Sequence, residues 1–336
     1  MRKLTLLLCL CLSTTLLLAQ SQVEKLVGQG VALHDKGDYD GAIDLYKQAL
    51  KLDPDSELVN YELALSYFHN KEYKNSIKYS DKVINSKNSK FAIHACVTKG
   101  SCLDVLGKTK ESIKFFNKAI KKHGEHYLLY YNLAVNYYRT YDFKKAEETF
   151  IKGIKSNPNH ASSHLMLAYV KHDQGQRVPC VLALHHFLFL EPVGKRAEKA
   201  YALLKKCVSS GVTKSDDNTI NINISSDTEK EFSAAELTLS MLEATRNTEE
   251  NKDKTEEALF IDNTSSFFAI LGELDKGKKK NIWWKFYIPF FYDVVQNDHI
   301  EAYCYYISQG SNEKAVEWLK ENEDKIQAFD DWLQND

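Results

Sequence analysis

Between Val23 and Leu190, apolar residues recur at steps of three and four, the spacing of one face of an α-helix. Short polar or glycine-bearing clusters interrupt this rhythm at Gly37-Asp38-Tyr39, Lys71-Glu72-Tyr73, Gly107-Lys108-Thr109, Tyr141-Asp142-Phe143 and Gly175-Gln176-Arg177. Each cluster opens a second amphipathic stretch, so the pattern predicts helix, turn, helix, repeated. A small residue stands in matching context at Gly30, Ala64, Gly100, Ala134 and Ala168, separated by 34, 36, 34 and 34 residues. Within the second helices a small column reads Ala42, Ser76, Ser112, Ala146, Cys180, and a larger column reads Tyr46, Ser80, Phe116, Phe150, Leu184. Three copies close on proline, at Pro54, Pro158 and Pro192. Small side chains let paired helices approach closely, larger ones fill the space against the next pair, and proline cannot continue a helix.

This arrangement over residues 23 to 192 resembles the tetratricopeptide repeat. The predicted fold is all-α: a solenoid at 22–207 of five repeats (about 23–56, 57–92, 93–126, 127–160 and 161–192) and a capping helix at 194–207, followed by a small helical C-terminal domain. Asn88 and Gly124 replace the closing proline in two copies, and Lys171 stands where others carry Tyr67 and Tyr137. The resemblance implies that the first helices line a concave peptide-binding face. The side chains it places there are Tyr61, Leu65, Phe68, Tyr131, Val135, Tyr138, Arg139, Tyr169 and His172. Tyrosine suits such a face because it buries much area at little rotamer cost. Chaperone-binding members hold a carboxylate with lysine and asparagine; Val27, Val31 and Glu62 occupy those places here, so that activity is not implied.

Residues 208–230 turn Ser, Asp and Asn rich without helical period and read as a linker. Beyond it, 231–336 reads as an aromatic-rich helical domain with helices near Phe232–Arg246, Ala258–Leu274, His299–Gln309 and Lys314–Leu333. All four tryptophans fall there, in a cluster with Phe286, Tyr287, Phe290, Phe291 and Tyr292. Two readings stay open: a bundle core, or a lipid- or glycan-binding patch helped by Lys278, Lys279 and Lys280.

Charge separates the two parts. Residues 22–207 carry a net charge of +9 and residues 208–336 one of −13, which allows one to dock on the other or to compete with an acidic partner. Arg2 and Lys3 followed by the apolar run Leu4–Leu18 and Ala19-Gln20-Ser21 form a secretory leader at 1–21, with periplasm the first compartment expected and secretion the second. The five cysteines beyond it are odd in number and lack paired spacings, so they read as buried small hydrophobes rather than a disulfide framework. His160, His164 and His172 share a helix, but His164 holds a packing position, and neighbouring His185 and His186 diverge; no metal site is expected. No phosphate loop, metal helix or nucleophile motif survives its context, so no enzyme and no cofactor is expected. Near-neutral overall charge disfavours nucleic acid. The function expected is a protein- or peptide-binding scaffold or adaptor of the cell envelope; the alternative is an envelope-surface binder using the tryptophan-rich tail, with membrane contact peripheral at most.

Overall fold

In the computed structural model, residues 20–87, 89–214, 220–222, 230–275, 277 and 281–335 are described. The apolar run of the expected leader, Asn88 and Lys278–Lys280 lie outside them. The chain divides into two compact units, Met1–Asp142 and Phe143–Asp336.

The N-terminal unit is helical throughout: α1 (residues 20–35), α2 (Tyr39–Leu52), α3 (Glu57–His69), α4 (Tyr73–Asn85), α5 (Ala92–Val105), α6 (Thr109–His123) and α7 (Tyr127–Arg139). From α2 onward each helix packs on the next, and first helices also meet across repeats, α3 on α5 and α5 on α7. The two residues by which the second step exceeds the others fall between α4 and α5, in a connection longer than that between α2 and α3.

All five predicted turns share one geometry. Gly37, Lys71, Gly107, Tyr141 and Gly175 have φ of 83°, 63°, 76°, 58° and 70°. This left-handed residue lets the following amide bond back to a carbonyl in the last turn of the first helix, as Asp38 N donates to Leu33 O, Glu72 N to Tyr67 O and Gln176 N to Lys171 O, at 2.8–2.9 Å. Lys71 and Tyr141 adopt it despite a Cβ, which costs each about 1 kcal/mol.

The small column is set by what faces it. A Cβ on Gly30 would lie 2.5 Å from Tyr46 Cε1, and one on Gly100 would lie 2.1 Å from Phe116 Cζ. The second repeat carries Ala64 instead, and its large-column position is Ser80. Gly100→Ala is therefore expected to lower stability by about 1–3 kcal/mol through overpacking. Adding Phe116→Leu should restore part of the loss in urea unfolding; equal losses in the single and double variants would break the pairing of columns.

The C-terminal unit holds α8 (Phe143–Ser156), α9 (Ala161–Asp173), α10 (Arg177–Leu190) and α11 (Lys195–Ser209). After them come α12 (Ser233–Ala244), α13 (Glu256–Leu274), a π-helical turn (Trp283–Tyr287), α14 (Ile288–Gln296), α15 (Ile300–Ser308), α16 (Glu313–Glu321) and α17 (Glu323–Asn335). α10 is its centre: every residue from Arg177 to Leu188 is buried, because α9, α11, α12, α15 and the π turn all pack on it. A helix that is apolar all round is stable only inside a core. The aromatic C-terminal segment thus shares one core with the last repeat. Two short antiparallel strands, β1 (Val212–Lys214) and β2 (Ile220–Ile222), pair Val212 with Ile222 in the stretch read as linker. Their β-branched residues favour extension once each strand has a partner.

Candidate functional site

In the N-terminal unit the predicted face is built by α3, α5 and α7. Tyr61, Leu65 and Phe68 on α3 and Tyr131, Val135 and Tyr138 on α7 are all half-buried, while Arg139 is exposed. The opposite sides of these helices bury Val59, Leu63 and Leu129, Leu133, fixing which side remains outward. Tyr61 does not stand free. Its ring stacks on Phe91 at 5.1 Å and meets His94 edge-on at 6.1 Å, so it also joins two repeats. Phe68 meets His69 and Tyr73 edge-on at 5.5 and 5.8 Å.

The sequence reading missed the middle rung. On α5 the positions equivalent to Leu65 and Val135, and to Phe68 and Tyr138, are Ser101 and Asp104. Asp104 accepts a hydrogen bond from Thr109 Oγ1 at 2.7 Å and forms an ion pair with Arg139, whose predicted outward role is thereby partly structural. The 34- and 36-residue steps placed Asp104 in this column, and that alignment was the available signal. The face therefore offers two aromatic rungs flanking a polar one.

In the C-terminal unit Tyr169 is half-buried and its hydroxyl pKa is raised by burial, whereas His172 is exposed beside Asp173. His164 is interior. Its Nε2–H donates to Pro158 O at 2.7 Å, which leaves Nδ1 to accept from Tyr287 Oη at 2.7 Å and fixes a neutral tautomer. Burial lowers its pKa to about 4. His186 packs against it with ring centroids 4.4 Å apart, and His160 bonds Ser163 Oγ at 2.8 Å. His185 is enclosed too, its Nδ1 3.0 Å from Tyr303 Oη, and burial pushes its pKa down to about 3. The aromatic cluster forms the wall around these rings: Trp283 and Trp284 are 2% and 0% exposed, and Phe268 stacks on Phe291 at 4.4 Å.

Two buried cations hold this unit together. Lys171, the departure from the repeat pattern, is fully enclosed, pairs with Glu147 of α8 and lies 5.6 Å from the Trp283 ring centre. Arg177 donates from Nε to Cys207 O at 2.6 Å, from Nη2 to Val208 O at 2.5 Å and from Nη1 to Ser240 Oγ at 2.8 Å, with Glu236 3.5 Å away. It thus caps the C-terminal end of α11 and joins it to α12. A cavity of about 480 Å³ lies among α10, α11, α12, α13 and α15, floored by Val181, Leu239, Phe260 and Phe267 with His185 at its base.

A family model described as TPR repeat matches residues 30–71, and one described as tetratricopeptide repeat matches 93–121 and 127–160. The chain is 28% identical over 130 residues to TPR repeat-containing protein MJ1428 of Methanocaldococcus jannaschii; the match covers 39% of this chain and 22% of that protein, so the chain spans about a fifth of that relative's length. Among solved structures, TTC0263, a thermophilic TPR protein of Thermus thermophilus, is 14% identical, with 55% of this chain and 98% of that one covered and a TM-score of 0.46. PilW, a widely conserved type IV pilus biogenesis factor, is 18% identical, with 56% and 90% covered and a TM-score of 0.46. The matched residues carry the turns at Gly37, Lys71, Gly107 and Tyr141 and the small residues Gly30, Ala64, Gly100 and Ala134 described above, and these parts of the chain are tetratricopeptide repeats.

Proposed function

We propose that this protein is a non-enzymatic interaction scaffold that takes a protein or peptide partner on the first-helix face of its repeats, serving as an adaptor of the cell envelope after export. The observation that carries this reading is the outward stripe on α3 and α7, where Tyr61, Leu65, Phe68, Tyr131, Val135 and Tyr138 remain only half-buried although the core beneath them is complete. Stacked repeats present such a surface without ordering anything new, so binding need not offset the entropy of folding a site. With Asp104 engaged by Arg139, the fitting partner brings apolar or aromatic side chains to the outer rungs and a neutral stretch to the middle one. The alternative, an aromatic tail reading lipid or glycan, draws no support from Trp283 and Trp284, whose rings are buried. Localisation rests on the leader at residues 1–21.

Tyr61→Ala combined with Tyr138→Ala is expected to weaken capture of the native partner by about tenfold or more, the loss typical of truncated aromatic anchors. Because Tyr61 also stacks on Phe91, thermal unfolding is measured on the same preparation. A photo-crosslinker at Leu65 should label the same partner, and one at Lys118 on α6 should not. Undiminished capture by a folded double variant, or equal labelling from both positions, refutes the face.

A further inference from the structure

We infer that Cys180 and Cys207 form a disulfide-bonding pair that staples α11 to α10. Cys180 occupies the small-residue column of the last repeat, where the other copies carry Ala42, Ser76, Ser112 and Ala146, and Cys207 sits in the last turn of α11. Their sulfurs are 3.7 Å apart and unbonded. A disulfide needs about 2.05 Å, so bonding draws the two sulfurs together from van der Waals contact. A cavity of about 170 Å³ is lined by both cysteines together with His172, Arg177 and Lys206.

The surroundings give the two sulfurs different roles. The Cys180 thiol hydrogen-bonds Cys207, and the Arg177 guanidinium and Lys206 lie near it, which lowers the Cys207 pKa and favours its thiolate. Cys180, fully buried, has its pKa raised, first by that same hydrogen bond and then by burial. Cys207 is 6% exposed, against 0% for Cys180, and both line the 170 Å³ cavity. With hydrogen peroxide as oxidant, the Cys207 thiolate attacks one peroxide oxygen, the O–O bond breaks and hydroxide leaves, giving a sulfenic acid. Cys180 then loses its proton and attacks Cys207 Sγ; the S–S bond forms, the S–O bond breaks and water departs. Two thiols and one peroxide become one disulfide and two waters. Cys96, Cys102 and Cys304 are buried, and burial raises the pKa of each, so they lack both access and thiolate character.

The test uses the purified mature chain, residues 22–336, fully reduced, treated with a small excess of hydrogen peroxide and then alkylated in denaturant with N-ethylmaleimide. Peptide mapping should show Cys180 and Cys207 in one cross-linked peptide, two protein thiols lost to alkylation, and both regained after dithiothreitol. Oxidation in denaturant should scramble the pairing. Cys180→Ser should leave a Cys207 sulfenic acid that dimedone traps, while Cys207→Ser should leave Cys180 unmodified. Full alkylation of both cysteines after native oxidation, or a native cross-link joining any other pair, overturns the assignment.

Discussion

Replacing Arg177 with methionine is expected to destabilise the C-terminal unit by about 3–5 kcal/mol, the cost of removing one partner from a buried charge pair. Arg177 is 7% exposed and Glu236 2%, and the Glu236 carboxyl already has its pKa raised by burial despite the guanidinium. Without Arg177, Glu236 keeps a charge with no counterion in contact, and the Cys207 and Val208 carbonyls lose their donors. All four tryptophans lie between Trp283 and Trp332, so tryptophan fluorescence during urea unfolding reads this unit and no other. Arg177→Met with Glu236→Leu should recover much of the loss, since replacing both partners of a buried pair with apolar groups is often neutral or better. A single-variant loss under about 1 kcal/mol, or a double variant no better than the single, contradicts the keystone role.

Acidification between pH 6.5 and pH 5 is expected to lower the stability of the same unit steeply. His164 and His185 are buried, with pKa values lowered by burial to about 4 and about 3, and His186 is lowered further by burial and by His164 beside it. Their folded pKa values lie below the unfolded value near 6.5. Stability is therefore full above pH 6.5 and falls with pH as the unfolded chain takes up protons that the folded chain refuses. Each such histidine contributes a slope of about 1.4 kcal/mol per pH unit, so the group takes most of a typical domain's stability by about pH 4. Most carboxylates titrate lower, and Glu236, whose folded pKa is raised by burial, adds stability as pH falls, which leaves the decline between 6.5 and 5 to the histidines. Urea midpoints read by tryptophan fluorescence should decline across that interval and decline less in His164→Gln. A midpoint flat from pH 7 to pH 5 contradicts neutral burial.

Much of the architecture was legible because the repeat writes it several times over. The period, the small columns and the five left-handed turns all follow from residues that recur, and Lys71 and Tyr141 take the glycine conformation because the register demands it. The face was less legible: the resemblance named Tyr61 and Tyr138, but Tyr61 stacking on Phe91 and Arg139 pairing with Asp104 depend on the neighbouring copy. The C-terminal unit was least legible, since α10 makes contacts more than a hundred residues away, as between His185 and Tyr303. One signal was present. Val178 to Leu188 contains no charged residue on any side, and an amphipathic repeat helix would show one.

The enclosure of α10 also bears on how such a chain can change length over evolution. A stack whose terminal helix shows a polar outer side can gain or lose copies by tandem duplication, because each new copy meets the same surface as the last. Here a copy inserted after α10 would have to displace α11, α12, α15 and the π turn together, and the Arg177 links with them. Growth is easier in the N-terminal unit, where the packing of α2 through α7 runs within a copy or to the adjoining one, and the aromatic segment acts as a full stop after α10.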